Sequence, residues 1–92
     1  MTKPLVLISN DDGYQSEGIK QLAESIKDLC DVWVVAPSTE RSASGMSLSI
    51  HSPLRHEKIE DQVYSVDGTP VDCVFVGTSA ILPRTPDWII SG

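Results

Sequence analysis

The stretch PLVLISNDDG, residues 4–13, joins a run of apolar residues to a pair of acids. Residues 5–8 have the length and the β-branched content of a short buried strand. Asp11 and Asp12 then follow where the strand ends and a turn begins. Carboxylate oxygens in this position suit Mg²⁺ or Mn²⁺, and such an ion can take phosphate oxygens as further ligands. Asn, Asp and Gly also favour turns, so the stretch alone fits an ordinary turn equally well.

The composition restricts the classes of partner. The chain has 92 residues, a formal net charge of −6 and only 7 Lys and Arg, which are scattered along the sequence. A protein that binds nucleic-acid polymers normally carries a basic stripe, so we expect no such binding. A small phosphorylated ligand stays compatible, because a bound metal can supply the positive charge.

Cellular location is predicted by default from the N-terminal segment, and the cysteines carry a separate expectation. The N-terminal residues contain no apolar stretch long enough for a signal peptide or a membrane span. Cys30 and Cys73 lie in apolar surroundings without metal-site spacing, so we expect buried, reduced thiols. The sequence therefore predicts a cytoplasmic protein without membrane association.

A strand–helix–strand unit follows the acidic pair. Ser16 is a predicted N-cap for a helix over residues 17–29, which has apolar residues at the spacing of one buried face. Residues 32–36 then read as a second buried strand closed by Pro37. Such a unit makes the two strands parallel with a right-handed crossover. The loop after Ala36 is therefore expected beside Asp11 and Asp12, at the edge where open α/β sheets bind ligands.

That second loop, residues 37–47, reads PSTERSASGMS. It is rich in hydroxyls and carries one cation, Arg41, and one glycine, Gly45. Such a loop can offer hydroxyls and backbone N–H groups to an anion. Alone it fits a plain solvent-exposed loop, but beside paired carboxylates it indicates a shared metal and phosphate site.

The rest of the chain predicts a hairpin, a helix and a strand. Alternation over residues 48–51 and 63–66 predicts a β-hairpin with its turn near Glu60 and Asp61. The two histidines, His51 and His56, lack acidic neighbours at metal-binding spacing and are expected on the surface.

The segment after Gly68 shows the signature of a helix start. Thr69 is the predicted N-cap, Pro70 the first helical residue and Asp72 the partner in a capping box. The helix is expected to end near Ala80. The face expected to be buried consists of Val71, Val74, Phe75 and Thr78.

Residues 87–90 predict a third buried parallel strand, and Ser91 and Gly92 follow it. Three parallel strands with so few helices leave sheet faces uncovered. We therefore expect residues 1–92 to be the N-terminal portion of a single, longer α/β domain. Alone, such a portion should be poorly stable or self-associating.

Taken in order, these segments resemble the stationary-phase survival protein family, SurE. The resemblance rests on ISNDDG at residues 8–13, VAPSTERSASG at 35–45, SI at 49–50, GTPVDCV at 68–74 and PDWIISG at 86–92. One such motif is weak evidence. Their order and spacing over nearly the whole chain make the resemblance specific.

The resemblance implies a Rossmann-like α/β fold, a three-layer sandwich with parallel core strands and a β-hairpin excursion. It also implies a metal-dependent nucleotidase that removes phosphate from nucleoside 5'- and 3'-monophosphates, with short polyphosphate as a further substrate of some members. The family's metal ligands correspond to Asp11, Asp12 and Ser42, and its last ligand is an asparagine that follows the final Ser-Gly. Family members are homodimers or homotetramers.

A catalytic role for Asp11 and Asp12 follows from this ligand set, with one Mg²⁺ or Mn²⁺ ion that activates a bound water. We expect Asn10, Ser44 and Gly45 to contact the phosphate of the substrate. Arg41 is a weaker candidate, because loop arginines are usually just solvated. No residue is identified as the general base.

Three alternatives stay open at this point. A receiver-like signalling module also has paired acids after its first strand, but it needs an aspartate where this chain has Ser91. A phosphatase with an aspartyl intermediate normally places its two aspartates one residue apart. An interaction or folding unit without chemistry is the alternative for an isolated 92-residue piece.

Overall fold

The computed structural model describes residues 3–38 and 55–91. Within these ranges the chain forms one sheet with the strand order β3-β4-β2-β1-β5, together with two α-helices. Along the chain the elements are β1 (Leu5–Ser9), α1 (Glu17–Ile26), β2 (Asp31–Pro37), β3 (His56–Glu60), β4 (Val63–Val66), α2 (Pro70–Val76) and β5 (Trp88–Ser91). One turn of π-helix, Gly77–Ile81, continues α2. Neither α-helix in this part of the chain has the length and apolar character needed to cross a bilayer.

Strand β1 lies inside a parallel core. It pairs in parallel with β2 on one side and with β5 on the other, and β4 pairs in parallel with the far side of β2. The predicted strand–helix–strand unit is therefore confirmed. Because parallel strands point the same way, their carboxyl ends, Ser9, Pro37, Val66 and Ser91, meet at one edge of the sheet, which we call the carboxyl edge.

The two helices cover opposite faces of this sheet. Val6 and Ile8 of β1 pack with Ile19 of α1, whereas Leu7 packs with Cys73 and Val76 of α2. This division follows from strand geometry, since successive side chains point to opposite faces. Each fully buried aliphatic side chain contributes about 1.5–3 kcal/mol to stability. The α/β three-layer arrangement is confirmed.

The hairpin differs from the prediction. The expected first arm, residues 48–51, lies outside the described residues, and the strand that pairs antiparallel with β4 is β3, within the charged stretch. Strand β3 is exposed along its whole length, and an edge strand with both faces in water suits charged side chains. Strand β4 is a parallel neighbour of β2 and so belongs to the core sheet, not to an excursion from it.

The turn between β3 and β4 is held from outside. Gln62 has a positive φ of 64°, which is unfavourable for a residue with a side chain. Its Nε2 donates to Asp31 Oδ1 and to the carbonyl oxygen of Val32, both at 2.7 Å. These bonds fasten the hairpin turn to the start of β2 and offset the cost of that backbone conformation.

Helix α2 buries a different face from the one predicted. Cys73 and Val76 pack against the sheet, whereas Phe75 is 55% exposed. The chain packs closely on the sheet at Gly77, the C-cap of α2, where an added Cβ would lie 3.3 Å from Leu7 Cδ2 and from Val35 Cγ2. The predicted face did not take this close packing into account.

Two apolar segments are also more exposed than expected. Helix α1 ends at Ile26, before the predicted end, and Leu29 is 73% exposed. Strand β5 was predicted to be buried, but Trp88 is 66% and Ile89 49% exposed. The reason is position, because β5 lies at the edge of the described sheet and pairs there with β1 alone.

The predicted capping box at the start of α2 is confirmed. Thr69 Oγ1 accepts from the backbone N–H of Asp72 at 3.2 Å, and the Asp72 carboxylate accepts from the N–H of Thr69 at 2.8 Å. Asp72 is fully buried. Gly68 leaves room for this carboxylate, since a Cβ at Gly68 would lie 2.6 Å from Asp72 Oδ2.

We predict opposite effects for two glycine substitutions. Gly68→Ala should lower the free energy of unfolding by about 1–3 kcal/mol, because the new methyl group forces the buried carboxylate or the backbone to shift. Gly18→Ala is the matched control. It lies in α1 with no atom within 4 Å of the added Cβ, and it should stabilise the protein by roughly 0.4–1 kcal/mol. Urea unfolding measures both, and equal effects would contradict the capping geometry.

Asp87 fastens the start of β5 to the start of β1. Its Oδ2 accepts from the backbone N–H of Leu5 at 2.8 Å and from Arg84 Nη1 at 3.1 Å, while its own N–H donates to Leu5 O at 2.8 Å. The Leu5 N–H, and after it Arg84, hold the pKa of Asp87 below its usual range.

This lowered pKa predicts a dependence of stability on acid. A carboxyl whose pKa is depressed by folding stabilises the folded state above its unfolded pKa, about 3.9, and loses that contribution as the pH falls through the folded value. Asp87→Asn should therefore lower the stability at pH 7. The variant should also lose less stability than the parent as the pH falls below about 4. Arg84→Gln should retain most of the dependence, because the Leu5 N–H bond is the larger cause. Thermal unfolding at pH 7 and pH 3 tests both variants. If Arg84→Gln removed more of the pH dependence of stability than Asp87→Asn, the Leu5 N–H bond would not be the larger cause.

Candidate metal centre

Asp11 and Asp12 lie at the carboxyl edge, directly after the end of β1. Asp11 is half-buried and Asp12 is exposed. Neither carboxylate forms a hydrogen bond or ion pair with another residue of ranges 3–38 and 55–91. Both are therefore available to a ligand from the solvent side.

Asn10 and Gly13 bracket the two acids. Asn10 Nδ2 donates to Gly13 O at 2.9 Å, and Gly13 N–H donates to Asn10 Oδ1 at 3.1 Å. Gly13 has φ 104°, a conformation that residues with side chains rarely adopt. The turn is thus specified by an asparagine that bonds to the chain ahead and by a glycine that allows the required backbone.

This turn is fastened to the next helix and to the next strand. Ser16 Oγ accepts from Asn10 Nδ2 at 2.8 Å and caps α1 by accepting from the N–H of Ile19 at 3.4 Å. Tyr14 N–H donates to the carbonyl oxygen of Pro37 at 2.9 Å. The predicted N-cap is confirmed, and the acidic turn is tied to the end of β2.

The hydroxyl-rich loop leaves the sheet beside this turn. It starts at Pro37, and the N–H of Ser38 donates to Val66 O at 2.9 Å. The predicted ligand Ser42 and the predicted phosphate contacts Ser44 and Gly45 lie outside the described residues, as does Arg41. The structure therefore fixes where the loop begins, next to Asp11 and Asp12, and the roles of these residues stay predictions.

Both histidines were expected on the surface. His56 is exposed at the start of β3, as expected. His51 lies outside the described residues.

Across residues 3–38 and 55–91 no three His, Cys, Asp or Glu side chains come together in a metal-binding group. Within these ranges, a metal at Asp11 and Asp12 would therefore have no third His, Cys, Asp or Glu ligand.

Ser9 is a feature of this edge that the sequence pattern did not single out. Its hydroxyl is buried, with the residue 1% exposed, and has no hydrogen-bond partner among residues 3–38 and 55–91, although buried polar groups normally have one. Ser9 directly precedes Asn10 and pairs with Ser91 at the carboxyl edge. The sequence feature that could have singled out Ser9 is its position, as the one hydroxyl residue directly after the apolar run of residues 5–8.

The donor chemistry at this edge fits a hard divalent cation. Two carboxylates without protein partners among the described residues stand at the end of β1, and a buried unpaired hydroxyl lies two positions before Asp11. Mg²⁺ and Mn²⁺ prefer such oxygen donors, and Mg²⁺ usually binds through one or two carboxylates. The residues present therefore suit a metal that completes its coordination with other oxygens.

A doubly covered parallel sheet with acids at its carboxyl edge defines an α/β protein of the Rossmann-like type. The sequence model of the family described as "Survival protein SurE" matches residues 6–92. The chain therefore belongs to the SurE family.

Curated relatives and a solved structure agree with this. A protein of Geobacter metallireducens named 5'-nucleotidase SurE is 48% identical over 87 residues, and one of Pelobacter propionicus with the same name is 49% identical. The two matches each cover 95% of this chain. The crystal structure of the SurE protein from Aquifex aeolicus matches 97% of this chain with a TM-score of 0.91 and 47% identity. The chain spans about a third of the length of these relatives, 34% and 35% of the first two and 37% of the third.

Proposed function

We propose that the protein is a metal-dependent phosphomonoesterase that hydrolyses nucleoside 5'- and 3'-monophosphates, with short polyphosphate as a further substrate. The observation that carries the proposal is the pair of available carboxylates, Asp11 and Asp12, at the carboxyl edge of a parallel sheet. The name 5'-nucleotidase, which the curated relatives carry, supports the type of reaction.

The proposed metal ligands are Asp11, Asp12 and Ser42, with the asparagine that follows Gly92 in the family as the last protein ligand. A Mg²⁺ or Mn²⁺ ion held there would supply Lewis-acid polarisation of the phosphoryl group and would lower the pKa of a water bound to it. Asp11 and Asp12 are catalytic in this scheme because they hold that ion against the reacting phosphate.

Charge explains why such a protein needs a cation at this edge. The chain carries a net charge of −6, and a phosphate monoester arrives with negative charge of its own. Two carboxylates alone would repel it, whereas a bound divalent ion would neutralise their charge and offer a cation to the phosphate oxygens. The proposed contacts of Ser44 and Gly45 then add donors for the phosphate oxygens.

The observed sheet weakens the rival signalling function. A receiver-like module requires a phosphate-accepting aspartate at the end of the strand that neighbours β1. In this chain that place, opposite Ser9 at the carboxyl edge, is occupied by Ser91. The adjacent spacing of Asp11 and Asp12 likewise favours shared metal binding over an aspartyl intermediate.

Two further expectations belong to the proposal. Cys73 is buried, Cys30 is half-buried, and the two form no disulfide; this supports a cytoplasmic location, because reducing compartments keep thiols from forming disulfides. The assembly is proposed to be a homodimer or homotetramer, which acts on small nucleotides and not on nucleic-acid polymers.

We predict that Asp11→Asn and Asp12→Asn each lower kcat/KM by at least about 100-fold in the full-length protein, because loss of a direct ligand exceeds the roughly 10- to 100-fold cost of losing an outer partner. Glu17→Gln is the matched control. It removes an exposed carboxylate from the first turn of α1, close in sequence to the site, and should leave activity within about twofold. Phosphate release from nucleoside monophosphates with Mn²⁺ or Mg²⁺ is the measurement.

Full activity in the Asp11→Asn and Asp12→Asn variants would contradict the site. The same preparation incubated with acetyl phosphate separates the rival functions, since a stable aspartyl-phosphate adduct is expected from a receiver or an aspartyl phosphatase and not from this enzyme. Metal binding without any hydrolysis would favour a binding or folding unit.

A further inference from the structure

The side chain of Asn10 is fully engaged within the protein. It is 5% exposed, and its two amide hydrogens go to Gly13 O at 2.9 Å and Ser16 Oγ at 2.8 Å. Its oxygen accepts from the Gly13 N–H at 3.1 Å. Phosphate oxygens on a monoester dianion require hydrogen-bond donors, and an asparagine has no third amide hydrogen to offer. A direct bond from Asn10 to phosphate would therefore break the turn.

We infer that Asn10 is a positioning residue, which holds Asp11 and Asp12 ready for the metal, and not a ligand of the substrate; the inference rests on the proposed function of that site. The two hydrogen bonds between Asn10 and Gly13 close a turn of four residues, in which Asp11 and Asp12 are the two central residues. The turn fixes the backbone on either side of the carboxylates.

Fixing this backbone in advance has a physical benefit. Two neighbouring carboxylates repel each other, and a free turn would separate them and sample many conformations. A turn already closed by Asn10 loses less conformational freedom when the ion binds, which raises affinity without any new contact to the ion. The substitution of Asn10 should therefore weaken metal binding even without nucleotide.

The contacts of Asn10 also allow an experiment to distinguish this positioning role from a purely structural one. The bond to Ser16 connects the turn to the N-cap of α1, whereas the bonds to Gly13 enclose the acids. Ser16→Ala removes the cap and one Asn10 bond but leaves both bonds to Gly13. It is therefore a destabilising variant that should retain the metal-binding turn.

The experiment measures Mn²⁺ binding to the full-length protein by electron paramagnetic resonance, without nucleotide, for Asn10→Ala, Asn10→Ser and Ser16→Ala. Asn10→Ala should weaken Mn²⁺ binding by about tenfold or more, the range typical of groups that orient metal ligands. Asn10→Ser should be intermediate, because a serine hydroxyl makes the same kind of turn more weakly. Ser16→Ala should keep its Mn²⁺ affinity within about threefold of the parent, although urea unfolding should show that it is less stable.

Kinetics with a nucleoside monophosphate at saturating Mn²⁺ complete the test. A positioning role predicts a lower kcat with KM within about threefold, since the substrate contacts remain. Unchanged Mn²⁺ affinity with a raised KM would make Asn10 a substrate ligand and overturn the inference. Equal loss of Mn²⁺ affinity in Ser16→Ala would also overturn it, because general destabilisation would then account for both losses. If Asn10→Ala does not fold, Asn10→Ser carries the same comparison.

Failure of the inference and failure of the proposed function give different results. A parent protein that binds Mn²⁺ but hydrolyses no nucleotide refutes the nucleotidase and still tests Asn10 through Mn²⁺ affinity. A parent that hydrolyses nucleotides, with unchanged Mn²⁺ affinity in Asn10→Ala, refutes the inference alone. A parent without Mn²⁺ binding refutes the role of Asn10 directly.

Discussion

Burial of β1 on both faces is the constraint on which the rest of the described structure depends. None of the residues from Leu5 to Ser9 is more than 2% exposed. Helix α1 lies over one face and α2 over the other, and β2 and β5 take up both edges. A strand enclosed in this way can expose polar side chains only beyond its ends. The acids at 11 and 12 therefore emerge at the carboxyl edge, where neighbouring strands also release the chain.

Local hydrogen bonds convert this general placement into a defined site. Tyr14 ties the acidic turn to Pro37, and Ser38 ties the departing loop to β4. Asn10 and Gly13 shape the turn itself. Backbone hydrogen bonds and the Asn10 side chain thus share the positioning, while the carboxylates stay available. Such an arrangement suits a metal that must keep coordination sites open for water and phosphate.

Much of the fold could be predicted from the sequence wherever a local pattern is compatible with only one type of secondary structure. The apolar run of β1, the one-sided face of α1 and the capping box of α2 each specify their element without knowledge of its neighbours. The pattern failed where neighbours decide. Charged β3 lies at one edge of the described sheet, and Trp88 is exposed because β5 lies at the other edge. Helix α2 packs Cys73 and Val76 against the sheet, which leaves Phe75 exposed.

The candidate site shows the same division. Asp11 and Asp12 were predicted as metal ligands from residue type and position, because two adjacent carboxylates at the carboxyl end of a buried strand suit a metal ion, and the structure adds only where they lie. The engagement of Asn10 could not be predicted, since an asparagine in a turn serves equally well as a donor to a ligand or to the chain. The Ser9 hydroxyl, which lacks a partner within the described part of the chain, could not be recognised from sequence, because its burial becomes visible only in the folded sheet.

A crystal structure of the full-length protein with Mn²⁺ and a nucleoside monophosphate tests the central claim most directly. We expect an anomalous peak at the carboxyl edge, about 2.0–2.3 Å from carboxylate oxygens of both Asp11 and Asp12, with the phosphate beside it. A well-occupied Mn²⁺ peak elsewhere, with both carboxylates free of metal, would contradict the claim.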